Sequence, residues 1–158
     1  MTQHQIISER LAYNRGWLNS VLPRLTPEML FWAPAEGMRS ISNQLIEIIS
    51  VEAHLVPTMR DGIQLPEEEI LANIGDPNSL DGLKGALIDI RAQTLAYLES
   101  LSEEELAEEV TVPQWYGAYW KNPCPRGEHF RNIAEHEFYH AGQLMTYLWM
   151  RGDNPFEW

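Results

Sequence analysis

Residues 132–155 read NIAEHEFYHAGQLMTYLWMRGDNP. Ile133, Ala141 and Leu144 recur at helical spacing, and Gly152 and Pro155 stop the pattern. The segment is therefore the greater part of a helix expected from about Gly127 to Arg151. Inside it, His136-Glu137-Phe138-Tyr139-His140 matches H-E-x-x-H, the zinc-and-base signature of many metalloproteases. The i, i+4 spacing puts both imidazoles on one side of the helix, close enough to share an ion. Two ordinary histidines on a wet face would show the same spacing.

A peptidase needs a third ligand, and the sequence after the motif does not supply one. The extended signature continues H-x-x-G-x-x-H, but Ala141, Gly142 and Gln143 follow His140, so the glycine comes one place early and the last His is missing. The one Glu beyond His140 is Glu157, in a Pro-interrupted tail. A third ligand must come from upstream, which a helical bundle permits because its helices project side chains into a shared interior.

Upstream, the apolar spacing is helical three more times. Residues 4–22 carry Ile7, Leu11, Leu18, Val21 and Leu22, and Pro23 and Pro27 close the stripe, with Thr26 a candidate N-cap. Ser40 caps a second helix with the stripe Ile41, Leu45, Ile48, Leu55 and Met59, in which Pro57 is expected to kink or fray the last turn. Residues 64–78 look like an acidic connection, broken by Pro66, Gly75 and Pro77. Ser79 caps a third helix to about Ser100, and Ser102 with Glu105 fits a capping box. Residues 110–125 form an aromatic- and Pro-rich loop in which Trp115, Tyr116, Tyr119 and Trp120 suit core packing or a dimer seam. Four long helices point to an all-α four-helix bundle, expected as one domain over residues 1–158.

The bulk composition narrows the partners. Eleven Lys plus Arg against 23 Asp plus Glu give a formal charge of -12, which repels phosphate backbones and anionic lipid. Neither nucleic acid nor a membrane is expected as a partner. The N-terminus lacks a signal-peptide profile and the lone Cys124 has no internal disulfide partner, so the expected location is cytoplasmic.

Two segments resemble a known family. Residues 132–155 are similar to the last helix of the DinB/YfiT-like superfamily, whose pattern is H-x-x-x-H-x-G-Q-[LIM] with a tail ending in x-G-x-x-P. His136, His140, Gly142, Gln143 and Leu144 match it place for place. Residues 24–45, RLTPEMLFWAPAEGMRSISNQL, resemble the family's stretch between its first two helices: an L-T-x-E-x-L turn, a W-x-P and an S-I-x-x-[QL]-L helix start. At position 141 the family frequently has Arg, and this chain has Ala141.

The resemblance implies a four-helix bundle, frequent homodimers, and a divalent metal held by three side chains, usually His, two on the last helix and one on the second. Some relatives are transferases or isomerases that use a low-molecular-weight thiol. The family's helix-two His falls seven residues after the Ser of S-I, which here is Glu47. A carboxylate is a legitimate ligand for zinc, nickel, manganese or iron. The expected set is Glu47, His136 and His140, with zinc or nickel as the preferred ion. His54, seven residues beyond Glu47 on nearly the same side, is the alternative third ligand.

Two carboxylates sit on apolar faces and need partners, Glu52 on the second helix and Glu137 on the last. Glu137 is the candidate general base, acting on metal-bound water or through a ligand imidazole, with an ion pair to Arg as the ordinary alternative. His129 lies on the same side two turns earlier and is expected at a pocket edge. The functional expectation is a metal-dependent transferase or hydrolase acting on a small molecule with an activated thiol or water. The other reading is a non-catalytic bundle whose metal site is structural and which serves as an interaction module.

Overall fold

The structure is a computed structural model, and residues 1–74, 76–112 and 121–158 are described, without the Asn73 side chain. The expected aromatic cluster Trp115–Trp120 lies outside the described residues.

Four long helices form a bundle: α1 (Gln3–Val21), α2 (Ile41–Asp61), α4 (Leu80–Ser100) and α6 (Arg126–Met150). Local chemistry sets their starts. Thr2 and Gln5 form a capping box on α1, and the Ser40 and Ser79 hydroxyls accept the amides of Asn43 and Gly82 at 3.2 and 3.1 Å. Thr26 precedes a short 3-10 turn with Pro27 at its head, but its side chain makes no capping bond, contrary to expectation.

Two other expectations change. Helix α2 runs through Pro57 to Asp61 and stops at Gly62, whose φ of 69° is left-handed. Near Pro57, which donates no amide hydrogen, the Thr58 hydroxyl donates to the His54 carbonyl at 2.8 Å and reinforces the turn. Within the acidic connection, α3 (Glu67–Asn73) forms because Ile70, with Ile74 just past its end, buries an i, i+4 pair, at 1% and 3% exposure. The short α5 (Glu103–Ala107) carries the expected Ser102–Glu105 capping box. Two-residue strands, β1 (Glu109–Val110) and β2 (Cys124–Pro125), pair antiparallel and lead into α6.

The core is divided along its length. One apolar cluster contains Leu18, Leu45, Ile48, Leu87 and Leu144, and the other contains Ile7, Leu11, Leu55, Leu98 and Phe130. Each fully buried Leu contributes roughly 1.5–3 kcal/mol. Between the clusters, each long helix inserts one charged residue: Arg15 from α1, Glu52 from α2, Arg91 from α4 and Glu137 from α6. Arg91 donates to Glu52 from Nε at 2.7 Å and from Nη2 at 3.1 Å, and its Nη2 also lies 3.1 Å from Glu137 Oε2. Arg15 donates from Nε to the same Glu137 oxygen at 2.7 Å. The layer is neutral in sum, and Leu11 and Leu87 carbonyls accept the remaining Nη1 groups of Arg91 and Arg15. None of the helices is long and apolar enough to cross a membrane, among the described residues.

Candidate metal centre

Helices α2 and α6 pack side by side and bring Glu47, His136 and His140 together. One potential ligand atom from each lies within 4.8 Å of the other two. His136 and His140 face each other through Nε2, at 3.0 Å. Two nitrogens at that separation can both lie at the usual zinc–imidazole distance of about 2.0–2.1 Å from one ion.

The protonation of this pair follows from its surroundings. Burial, the His140 ring and the Arg39 guanidinium push His136 down to about 3. Burial and Arg39 push His140 down to about 4, with Gln143 opposing. Both imidazoles are therefore neutral at ordinary pH, the form that ligates a metal. His140 Nδ1 donates to Gln44 Oε1, and Gln143 Oε1 is also in reach at 3.1 Å. Gln44 Nε2 in turn donates to the Tyr147 hydroxyl at 3.3 Å, which donates to the Arg39 carbonyl at 3.0 Å. A backbone carbonyl only accepts, so the row has one direction and the His140 proton stays on Nδ1. Its Nε2 lone pair is left pointing at His136, the tautomer a metal ligand needs.

The donor set suits a divalent cation: two neutral imidazoles, one carboxylate and an outer row of hydrogen bonds that orients a ligand. Glu47 is partly exposed and lies 3.5 Å from Arg39 Nη2. His54, the alternative third ligand, is not part of the cluster. Burial lowers its pKa, with the Glu67 charge opposing.

Glu137 does not join the cluster. It is 1% exposed, and its Oε2 is held by Arg15 and Arg91, which fits the ordinary alternative of an ion pair better than a base. His129 is not at a pocket edge either. It is buried, with Nε2 3.3 Å from Cys124 Sγ and also 3.3 Å from the Val110 carbonyl. Burial lowers its pKa, so the neighbour of Cys124 is a neutral ring rather than an activating cation. The residues missed in the sequence are Gln44, Tyr147 and Arg39. Gln44 had a visible signal, since it lies one turn before Glu47 on the same side of α2.

A model of the family described as the DinB superfamily matches residues 10–144. No curated protein matches the sequence significantly. Among solved structures, the chain is similar to the crystal structure of the colibactin self-resistance protein ClbS in complex with a dsDNA, at 19% identity and a TM-score of 0.68. The likeness covers 93% of this chain and 95% of that one, and at this identity it establishes the fold. It also corrects the expectation of no nucleic-acid partner, because a protein of this fold is crystallised with double-stranded DNA. A formal charge of -12 sums over the whole chain, whereas a polyanion senses the charges within roughly 8–10 Å of its contact surface.

Proposed function

This chain belongs to the DinB superfamily, and on that premise we propose that it binds one divalent cation through Glu47, His136 and His140. The activity that follows is transfer or hydrolysis on a small molecule, with a thiol or water as nucleophile. The observation that carries this reading is the meeting of three donors from two helices within 4.8 Å, two of them neutral imidazoles. Zinc or nickel suits two imidazoles and a carboxylate best, ahead of manganese or iron.

When bound, such an ion lowers the pKa of a coordinated thiol or water. The protein's own residues prepare the site. Gln44, Gln143 and Tyr147 hold the His140 ring and its proton, and Glu47 supplies the negative charge. Glu137 serves as the counter-ion of Arg15 and Arg91 in the buried layer, and in this reading it is not the base.

The metal content of purified protein tests the site in the wild type and in His136→Ala, Glu47→Ala and His54→Ala. Metal should fall in the first two variants and persist in the third. Equal content in wild type and His136→Ala would sink the proposal. A screen of thiols against electrophiles with loaded protein then separates an enzyme from a binding module.

The crystal complex of ClbS favours a second reading, in which double-stranded DNA is a partner. A mobility-shift titration at low salt decides it: a shift abolished by moderate salt and equal for an unrelated acidic protein removes this reading. A second copy of the chain is a further candidate partner. The exposed rings Tyr13, Trp17 and Phe138 on α1 and α6 offer it an apolar seat.

A further inference from the structure

Arg39 stands beside the proposed cation site, and backbone contacts fix where it stands. Its carbonyl accepts the Tyr147 hydroxyl at 3.0 Å. The amides that follow are tied back to the preceding segment, Ile41 to the Trp32 carbonyl at 3.2 Å and Ser42 to the Leu30 carbonyl at 2.8 Å. From this anchored point the guanidinium comes within 3.5 Å of Glu47 Oε2, with its side chain 53% exposed. That is longer than the roughly 2.7–2.9 Å of a charge-assisted hydrogen bond. Among the described residues it donates no side-chain hydrogen bond, so N–H groups of its fork are open beside the donor cluster.

The positive charge of Arg39, 3.5 Å from Glu47, acts against a cation at this place. Its one ion pair, to Glu47 at 3.5 Å, is long and leaves most of its N–H donors free to reach an oxyanion. On the opposite helix Ala141 is fully buried in the core, so α6 offers no cation at that position. Arg39 is thus the cation that α2's approach segment brings to the donor cluster. A planar fork of donors matches the two oxygens of a carboxylate or phosphate.

We propose that Arg39 binds the oxyanion group, carboxylate or phosphate, of the small molecule that occupies the place beside Glu47, His136 and His140. The proposal rests on the divalent-cation reading above. It makes Arg39 a substrate-binding residue, and it narrows the substrate to molecules that carry an oxyanion a few bonds from the reacting group.

Cobalt(II) is a suitable probe because its visible absorption reports both loading and a change of ligand. Bare cobalt affinity is measured by chelator competition in wild type, Arg39→Gln and Arg39→Lys. The loaded proteins are then titrated with acetate in one arm and inorganic phosphate in the other. Arg39→Gln should hold cobalt as tightly as wild type or more tightly, and bind the preferred anion roughly three- to tenfold more weakly. Arg39→Lys should fall between the two, and the arm that responds names the oxyanion. A loss of cobalt affinity in Arg39→Gln would make Arg39 a brace for Glu47 and overturn the proposal. An anion response equal in wild type and Arg39→Gln overturns it as well, with the metal site left standing. Wild-type protein that binds no cobalt overturns the metal reading and this one together.

Discussion

Arg91 on α4 grips Glu52 on α2 at two points, Nε to Oε1 at 2.7 Å and Nη2 to Oε2 at 3.1 Å, in a layer where both carboxylates are 1% exposed. With Arg91→Met, Glu52 and Glu137 share only the Arg15 guanidinium, and one negative charge stays buried without an equal. The expected loss is about 3–5 kcal/mol, read by urea unfolding. Replacing all four charged residues by apolar ones of similar size should cost far less, or stabilise the fold. Equal losses in the single and quadruple variants would show that charge balance is not what the layer depends on.

Gln44 holds the His140 proton through its carbonyl oxygen and is itself held by Tyr147. Gln44→Leu should weaken divalent-metal binding roughly 10- to 100-fold while the helices stay folded. Chelator competition and circular dichroism measure the two quantities. Unchanged metal affinity would remove Gln44 from the site.

Glu103 on α5 caps α1 from outside, with its carboxylate accepting the Gln3 and His4 amides at 2.9 and 3.1 Å. Those hydrogen bonds hold its pKa down from 4.5 to about 2. A depressed carboxylate stabilises the fold above its unfolded value and loses that contribution as pH falls through the folded one. The stability gap between wild type and Glu103→Gln should therefore be widest above pH 4.5 and close as pH falls towards about 2. Denaturant melts across that range would show it, and a gap independent of pH counts against the cap.

Gly142 lies inside α6, and a Cβ there would meet nothing within 4 Å. Gly142→Ala should raise stability by up to about 1 kcal/mol through helix propensity alone. At Gly127 the same atom would come within 3.3 Å of Ile7 Cδ1 and 3.4 Å of the Leu106 carbonyl, so Gly127→Ala should show no such gain. Thermal unfolding of the two variants side by side gives the comparison.

What the sequence revealed, and what it hid, follows from the range of the interactions. The caps at Ser40, Ser79 and Ser102 involve residues three apart, and each was legible. The pairing of His136 with His140 on one helix was legible for the same reason. That Glu52 and Glu137 needed partners followed from their apolar surroundings, but the partners did not. Arg91 is 39 residues from Glu52, and Arg15 is 122 from Glu137, so only the packed bundle selects them. Helix α3 escaped because three consecutive Glu residues obscure the Ile70–Ile74 pair that buries it. Arg39 carried no motif at all. Its place beside Glu47 comes from a loop path tied by the Ile41 and Ser42 amides to the Trp32 and Leu30 carbonyls and by the Tyr147 hydroxyl to its own carbonyl.

The row that runs from the Arg39 carbonyl through Tyr147 and Gln44 to His140 is made entirely of protein. The ordering of the His140 ring is therefore completed by the fold itself. In small zinc modules the ion is itself the core, and chelation unfolds them. Here the core is instead two apolar clusters with the charged layer between them. If the proposed site takes a cation, loading and stripping it would be a local exchange between α2 and α6, able to follow the metal supply while the scaffold stays as it is.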